Sequence, residues 1–355
     1  MTGVYIHVPF CLKKCSYCDF FSLKYSEEEA ENYTKAVIRN LNKKMLSADT
    51  VYFGGGTPSL LTPKQIDRIL SCIDLAYSSE ITMECNPITT DKNAFLKIYA
   101  AGINRISLGV QSFSDRELSA LGRLHTAAEA EKAVLDINAA KFENISADIM
   151  LGIPYQTEKT LARTFDRLLK LPINHISAYM LKVENGTPLA KDSALLKKTA
   201  NDETLADMYL MTCERLESAG FGRYEISNFA KEGFECRHNL KYWRSENYIG
   251  IGPSAHSYID GKRFSVPDDL QSFIELEEQN ELITDETAGS HDERFMLEMR
   301  TSDGIAYSDY GDGGEIARKA VPIIQAGLLA EENGRLFFTD RGAVVSNDII
   351  ARLLN

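Results

Sequence analysis

Six short runs rich in β-branched and aromatic residues recur along the first half of the chain. They are 4–8 (VYIHV), 50–53 (TVYF), 80–85 (EITMEC), 105–110 (RISLGV), 145–151 (ISADIML) and 175–181 (HISAYML). Amphipathic helical stretches separate them, for instance 28–45, 63–77 and 126–140. Strand–helix alternation of this kind predicts parallel strands joined by right-handed crossovers, hence an α/β fold. Six such units with polar residues at strand ends fit a full or partial (β/α) barrel of the TIM type better than a two-layer sheet. Such barrels carry their chemistry on the C-terminal rim. A helix over 201–219 and a strand over 222–227 extend the region. After about 280 the pattern changes: a helix at 291–301 precedes a helix–hairpin–helix stretch over 315–354 whose turn falls at ENG (332–334). That stretch resembles a small α+β winged helix. The predicted division is therefore 1–280 and 281–355, with the acidic ELEEQNE (275–281) at the boundary; the same segment also reads as a solvated helix face.

The 355 residues carry a formal charge of −12, which argues against a nucleic-acid binder working by phosphate neutralisation. No run of eighteen apolar residues occurs, so no membrane-spanning helix is expected. The first apolar stretch, VYIHVPF, is too short for a signal-peptide core. Seven cysteines are unevenly spread, unlike a secreted disulfide framework, and a reducing cytoplasm is the expected compartment. Cys72, Cys85, Cys213 and Cys236 read as small buried apolar groups.

The other three cysteines, Cys11, Cys15 and Cys18, sit in HVPFCLKKCSYCDFFS (7–22) directly after the first strand. Structural zinc is one reading, with His7 as the fourth donor of a Cys3His set. Against it, His7 lies inside the strand, and zinc cysteines usually come in two close pairs. A [4Fe–4S] cluster on three thiolates with one open iron is the other. Further polar residues end successive strands: Gly55, Gly56 and Thr57 in YFGGGTPSLL, Glu84 in MECNP, Gln111 in LGVQSF, and Asp148 in ADIMLGIP. Arg123 follows in LGRLH. Each alone could cap a loop; together they are how a barrel-rim site is built.

The C-x3-C-x2-C spacing, with Tyr17 just before the last cysteine, resembles the radical S-adenosylmethionine (radical SAM) superfamily. The resemblance implies that the amino and carboxylate groups of S-adenosylmethionine complete the open iron. An electron from the cluster then cleaves the sulfonium C–S bond to give a 5′-deoxyadenosyl radical. It also implies that Tyr5, Tyr17, Gly55, Gly56, Thr57, Glu84, Gln111, Arg123 and Asp148 line the cofactor site, the glycines and Thr57 at the methionine end. The carboxylates would accept ribose hydroxyls, and Arg and Gln would hold a ligand carboxylate.

YIHVPFC…CSYCDF, LGRLHT, HISAYMLKVENGTPL, YEISNFA and RHNLKYW…YIGIGPSAHSY further resemble the oxygen-independent coproporphyrinogen III oxidase family, and more closely its sister group, the HemW heme chaperones. The oxidases have another cysteine two residues after the last cluster cysteine and an extra N-terminal segment. Here Asp19-Phe20 follow Cys18, and the first strand begins by residue 4. Both departures favour the chaperone branch. The resemblance then implies heme binding that involves His238 in HNLKYW (238–243), with Tyr242 and Trp243 near a porphyrin face. A histidine packed among aromatics is the competing reading, and His256 and Cys236 are weaker candidates. The implied function is delivery of heme to a respiratory hemoprotein, with a flavodoxin or ferredoxin as electron donor and transient membrane contact. The alternative is the oxidase itself, decarboxylating coproporphyrinogen III; a radical methyltransferase or cyclase acting on another tetrapyrrole stands third. The C-terminal module is expected to pack over the barrel mouth rather than to bind DNA.

Overall fold

A computed structural model describes residues 1–311 and 313–355. Six parallel strands lie side by side in chain order: β1 (Thr2–Val8), β2 (Ser47–Gly55), β3 (Asp74–Cys85), β4 (Arg105–Gln111), β5 (Asn144–Leu151) and β6 (His175–Met180). The crossovers carry α1 (Glu27–Lys44), α2 (Pro63–Leu70), α3 (Lys92–Ala100), α4 (Asp115–Ala120), α5 (Ala127–Ala139) and α6 (Glu158–Leu168). Tyr248–Ile251 adds a parallel strand on the outer side of β1. Antiparallel strands then extend both flanks, so the sheet ends at Leu282–Asp285 on one side and Gly222–Arg223 on the other. The result is the expected α/β partial barrel, open between those two edges.

Local sequence explains the elements. Every residue of β4 is buried, as a strand covered on both faces requires. On α1, Ala30, Tyr33, Val37 and Leu41 recur at helical spacing and form its buried stripe. Its Ser26 cap, three glutamates in the first turn and two lysines in the last complement the helix dipole. Thr62 with Gln65 and Thr126 with Glu129 close capping boxes on α2 and α5.

Two expected elements end elsewhere. The helix read over 63–77 stops at Leu70, although CIDLAY continues the helical spacing. Asp74 N–H donates to the Leu46 carbonyl at 2.9 Å, and the chain joins the ladder with Asp74 opposite Ser47. The strand read over 222–227 breaks because the Glu225 carboxylate accepts from Ser227 N–H and from the Asn228 amide, which turns the chain back. Asn228–Ala230 then pairs antiparallel with β6. Within the acidic 275–281 stretch, Gln279 is buried and donates to the Gly250 carbonyl at 2.9 Å, while Leu282–Asp285 beyond it joins the large sheet.

The C-terminal hairpin pairs Leu329–Glu332 with Arg335–Phe338 through Asn333-Gly334, both at positive φ, as a two-residue turn of primed type demands. Ile305–Ala306 adds a third strand, and helices Gly313–Gln325 and Ser346–Leu354 flank the sheet. This module does not cover the cavity mouth. Arg223 donates to Asp340 at 3.0 Å and to the Phe338 carbonyl at 3.1 Å, and Ser302 N–H to the Tyr224 carbonyl at 2.9 Å. The Tyr224 hydroxyl in turn meets His175, the first residue of β6, at 2.8 Å. The module is thus anchored beside the strand starts, the end opposite the rim.

The end of β1 is fixed from outside: Tyr33 on α1 donates its buried hydroxyl to the His7 carbonyl at 2.6 Å. Replacing Tyr33 by Phe leaves that carbonyl without its donor and should cost about 1–3 kcal/mol. Urea unfolding should show a lower midpoint with an unchanged slope; an unchanged midpoint would remove this bond from the account.

Candidate functional site

At the C-terminal ends of the strands lies a cavity of about 430 Å³. Cys11, Cys15 and Cys18 line it together with Tyr17, Gly55, Gly56, Thr57, Glu84, Gln111, Arg123 and Asp148. Residues scattered over more than 130 positions of sequence therefore meet at one place. All three cysteines are free and half-buried.

The loop that bears them is tied at both ends and in its middle. Phe10–Cys11 pairs in parallel with Leu23–Lys24, bracketing the loop. Ser16 N–H donates to Leu121 O at 3.0 Å, and its hydroxyl to Ala120 O at 3.2 Å, pinning the loop to the end of α4. Leu189 N–H donates to Ser16 O at 2.8 Å from another side. The glycine pair at the end of β2, Gly55 and Gly56, makes room for this loop. A Cβ on Gly56 would lie 2.6 Å from Phe10 O and 2.8 Å from Val8 O, and Gly55, at φ +101°, would drive one into the His7 ring.

Two thiols already receive hydrogen bonds: Thr57 Oγ1 donates to Cys11 Sγ and Arg123 to Cys15 Sγ, each at 3.5 Å. Asn86 joins the donors, giving its amide to Thr57 at 3.0 Å and accepting from Arg123 at 2.5 Å. Arg123 also donates to the Gly109 carbonyl at 2.7 Å.

Opposite the thiols stand two carboxylates. Glu84 accepts from the Tyr52 hydroxyl at 3.0 Å and from Gly55 N–H at 3.2 Å, both neutral donors. Burial, and then the neighbouring charge of Asp148, push its carboxyl up to about 7. Burial raises Asp148 as well, against the Ser107 hydroxyl that donates to it at 2.9 Å. Gln111 reaches the cavity through a left-handed backbone (φ +65°), where the β4–β5 register slips between Gly109 and Gln111. Tyr17 packs against Leu121, Met150 and Ile153.

Tyr5 and His238 are the expected site residues that do not line the cavity. Tyr5 lies behind Tyr52, stacked on it at 6.2 Å between centroids. His238 is fully buried: Nδ1 pairs with the Thr50 hydroxyl and Nε2 with the Tyr242 hydroxyl, both at 2.8 Å. Its ring stacks on the far side of Tyr52 at 5.3 Å, and burial pushes its pKa down to about 3. With both nitrogens engaged, His238 has no lone pair free for iron in this arrangement. His7 is occupied too, Nε2 against Phe21 O at 3.0 Å and Nδ1 against the Tyr5 hydroxyl at 3.3 Å. That removes the fourth donor of the zinc reading. Among the described residues, no three His, Cys, Asp or Glu side chains are arranged to hold a metal ion as they stand. A single zinc needs its donors to converge at about 2 Å from one point, whereas a cuboidal cluster keeps its thiolates apart.

Sequence reasoning passed over Asn86, Ser107, Tyr52 and Tyr179 as lining groups. Asn86 precedes a proline and reads as a turn former. The strand alternation held the signal for Ser107 and Tyr179, since Ser107 lies opposite Glu84 and Tyr179 opposite Met150. Of the scattered cysteines, Cys85, Cys213 and Cys236 are buried and Cys72 is half-buried.

Residues 5–168 match the family model of the Radical SAM superfamily. The chain is 34% identical to the heme chaperone HemW of Mycobacterium tuberculosis, over 99% of its own length and 94% of that protein. It is 30% identical to the HemW of Bacillus subtilis, over 100% of this chain and 99% of that one. The chain belongs to the HemW family of heme chaperones. Among solved structures, coproporphyrinogen III oxidase (HemN) from Escherichia coli superposes with a TM-score of 0.83, covering 99% of this chain and 89% of that one at 19% identity. That likeness establishes a shared fold. The HemW membership agrees with the branch that Asp19-Phe20 after Cys18 favoured in the sequence.

The raised carboxyl of Glu84 fixes a pH dependence. An unfolded Glu titrates at about 4.3, so the cost of burying Glu84 builds up between that pH and about 7 and is fully present above it. In metal-free protein, Glu84→Gln should therefore match wild type in thermal stability near pH 4.5 and exceed it at pH 8. Melting curves that differ equally at both pH values would contradict the assignment.

Proposed function

We propose that this protein is a heme chaperone that binds a [4Fe–4S] cluster, S-adenosylmethionine and heme, and passes heme to a respiratory hemoprotein. The observation that carries the reading is the convergence of three cysteines and the strand-end polar residues on one cavity, in a chain of the HemW family. The residues fit the cofactors. Three thiols offer one ligand fewer than the irons of a cuboidal cluster, and two buried carboxylates, each held above its ordinary pKa by burial, line the same cavity as acceptors for further hydroxyl or cationic groups.

Cys11, Cys15 and Cys18 would hold the cluster and, being three, would leave one iron for S-adenosylmethionine. When bound, cluster and cofactor supply one-electron chemistry at a sulfonium carbon. Gly55, Gly56 and Thr57 border the methionine end, Arg123 and Gln111 donate to its carboxylate, and Glu84 and Asp148 accept the ribose hydroxyls. Tyr17 closes one wall and Tyr5 supports Tyr52 from behind. His238 would be available to heme only once its ring gives up Thr50 across the sheet and Tyr242 on its own helix, Arg237–Trp243. The proposed setting is the cytoplasm, with a flavodoxin or ferredoxin as electron donor and brief visits to a membrane surface. No helix among the described residues is long and apolar enough to cross one.

Cys15→Ser should abolish the visible absorbance and the electron paramagnetic resonance (EPR) signal of the reconstituted iron–sulfur protein while the far-ultraviolet circular dichroism stays that of wild type. Zinc in place of iron after anaerobic purification would refute the cofactor reading. Heme titration, followed by quenching of Trp243, the chain's only tryptophan, should saturate in wild type and weaken at least tenfold in His238→Ala. Identical titrations would make His238 purely structural. Efficient conversion of coproporphyrinogen III to protoporphyrinogen by the reconstituted protein would overturn the chaperone assignment.

A further inference from the structure

Asn86 bonds to Thr57 and Arg123, the side chains that donate to Cys11 and Cys15, and its chemistry fixes the direction of every hydrogen in that chain. Arginine has donors only, so the Asn86 atom that meets Arg123 at 2.5 Å is its carbonyl oxygen. The amide NH2 then faces Thr57, 3.0 Å away. The assignment of oxygen and nitrogen is thus set by a neighbour that cannot accept. Thr57 Oγ1 receives that N–H through a lone pair, and its single proton is left for Cys11 Sγ at 3.5 Å. Arg123 closes the arc by donating to Cys15 Sγ at the same distance. The asparagine is held in its turn by Thr89, whose backbone N–H and hydroxyl donate to the main-chain carbonyl of Asn86 at 3.1 and 2.8 Å.

We propose that Asn86 is a positioning residue for the reduction potential of the cluster: by orienting the Thr57 hydroxyl toward Cys11 it keeps a hydrogen bond on one of the three thiolates. The inference rests on the reading of Cys11, Cys15 and Cys18 as cluster ligands. Hydrogen bonds to cluster sulfur stabilise the reduced, more negative state and raise the potential. An Asp at 86 has the same shape but no donor. Its carboxylate accepts from Arg123 and from Thr57 alike, which turns the Thr57 proton away from the thiolate.

The test is an EPR-monitored redox titration of the reconstituted full-length protein, with iron content and melting temperature measured first. Thr57→Ser should titrate like wild type. Thr57→Val and Asn86→Asp should each lower the ratio of reduced to oxidised cluster about tenfold at the wild-type midpoint, a shift of about 59 mV for one electron. Because Asp also adds charge, the deciding comparison is the double variant: Asn86→Asp should shift the potential less in the Thr57→Val background than in wild type. A wild-type potential in Thr57→Val, or an equal Asn86→Asp shift in both backgrounds, would overturn the proposal. A wild-type sample without an iron–sulfur signal would overturn the cysteine reading and this proposal with it, and the iron assay separates that failure from the others.

Discussion

Three thiols on a loop can face a cavity as a fixed triangle only if something outside the loop holds them there. In this chain the holding is done by main-chain bonds. The short ladder of Phe10–Cys11 with Leu23–Lys24 ties the ends, Ser16 ties the middle to the terminus of α4, and Leu189 ties the opposite edge. The loop can sit that close to β2 only because Gly56 carries no side chain. Helix α1 contributes at a distance, through the Tyr33 hydroxyl on the last turn of backbone before the cysteines. The site is therefore pre-shaped by groups that do none of its chemistry.

The same cavity is a compromise between binding and stability. Glu84 and Asp148 line one cavity from strands on either side of β4, and both are held above the ordinary carboxylate range by burial. A bound ligand with hydroxyl and cationic groups removes that penalty, so ligand binding and fold stability are thermodynamically linked. Stored electrostatic tension of this kind is common where a site waits for a partner.

The order of strands, the rim location and the cysteine loop were legible because they rest on local pattern: alternation of strand and helix, and polar residues near the C-terminal ends of several strands. What misled was also local. CIDLAY keeps a helical spacing that the ladder at Asp74 overrides, and nothing in the residues over 222–227 announces the turn that Glu225 makes with Ser227 and Asn228. Asn86 looked like a turn residue beside Pro87, and it is one; its second task depends on Thr57 and Arg123, far away in sequence. His238 sits in a motif rich in aromatics, and composition alone does not say whether such a ring faces a ligand or the interior. The position of the C-terminal module was invisible for the same reason, being decided by Arg223 and Tyr224 at the strand starts.

The layered rings of Tyr5, Tyr52 and His238 make a floor rather than a passage. Anything large that settles on the rim meets the phenol of Tyr52, already committed to Glu84, while the imidazole waits beneath it with both edges spoken for. A flat macrocycle could touch that imidazole only if the helix of residues 237–243 lifted away from Thr50 and the ring turned from its own Tyr242. Capture of cargo there would be a slow, gated event, and its rate would report on the opening of the floor more than on the attraction between metal and nitrogen.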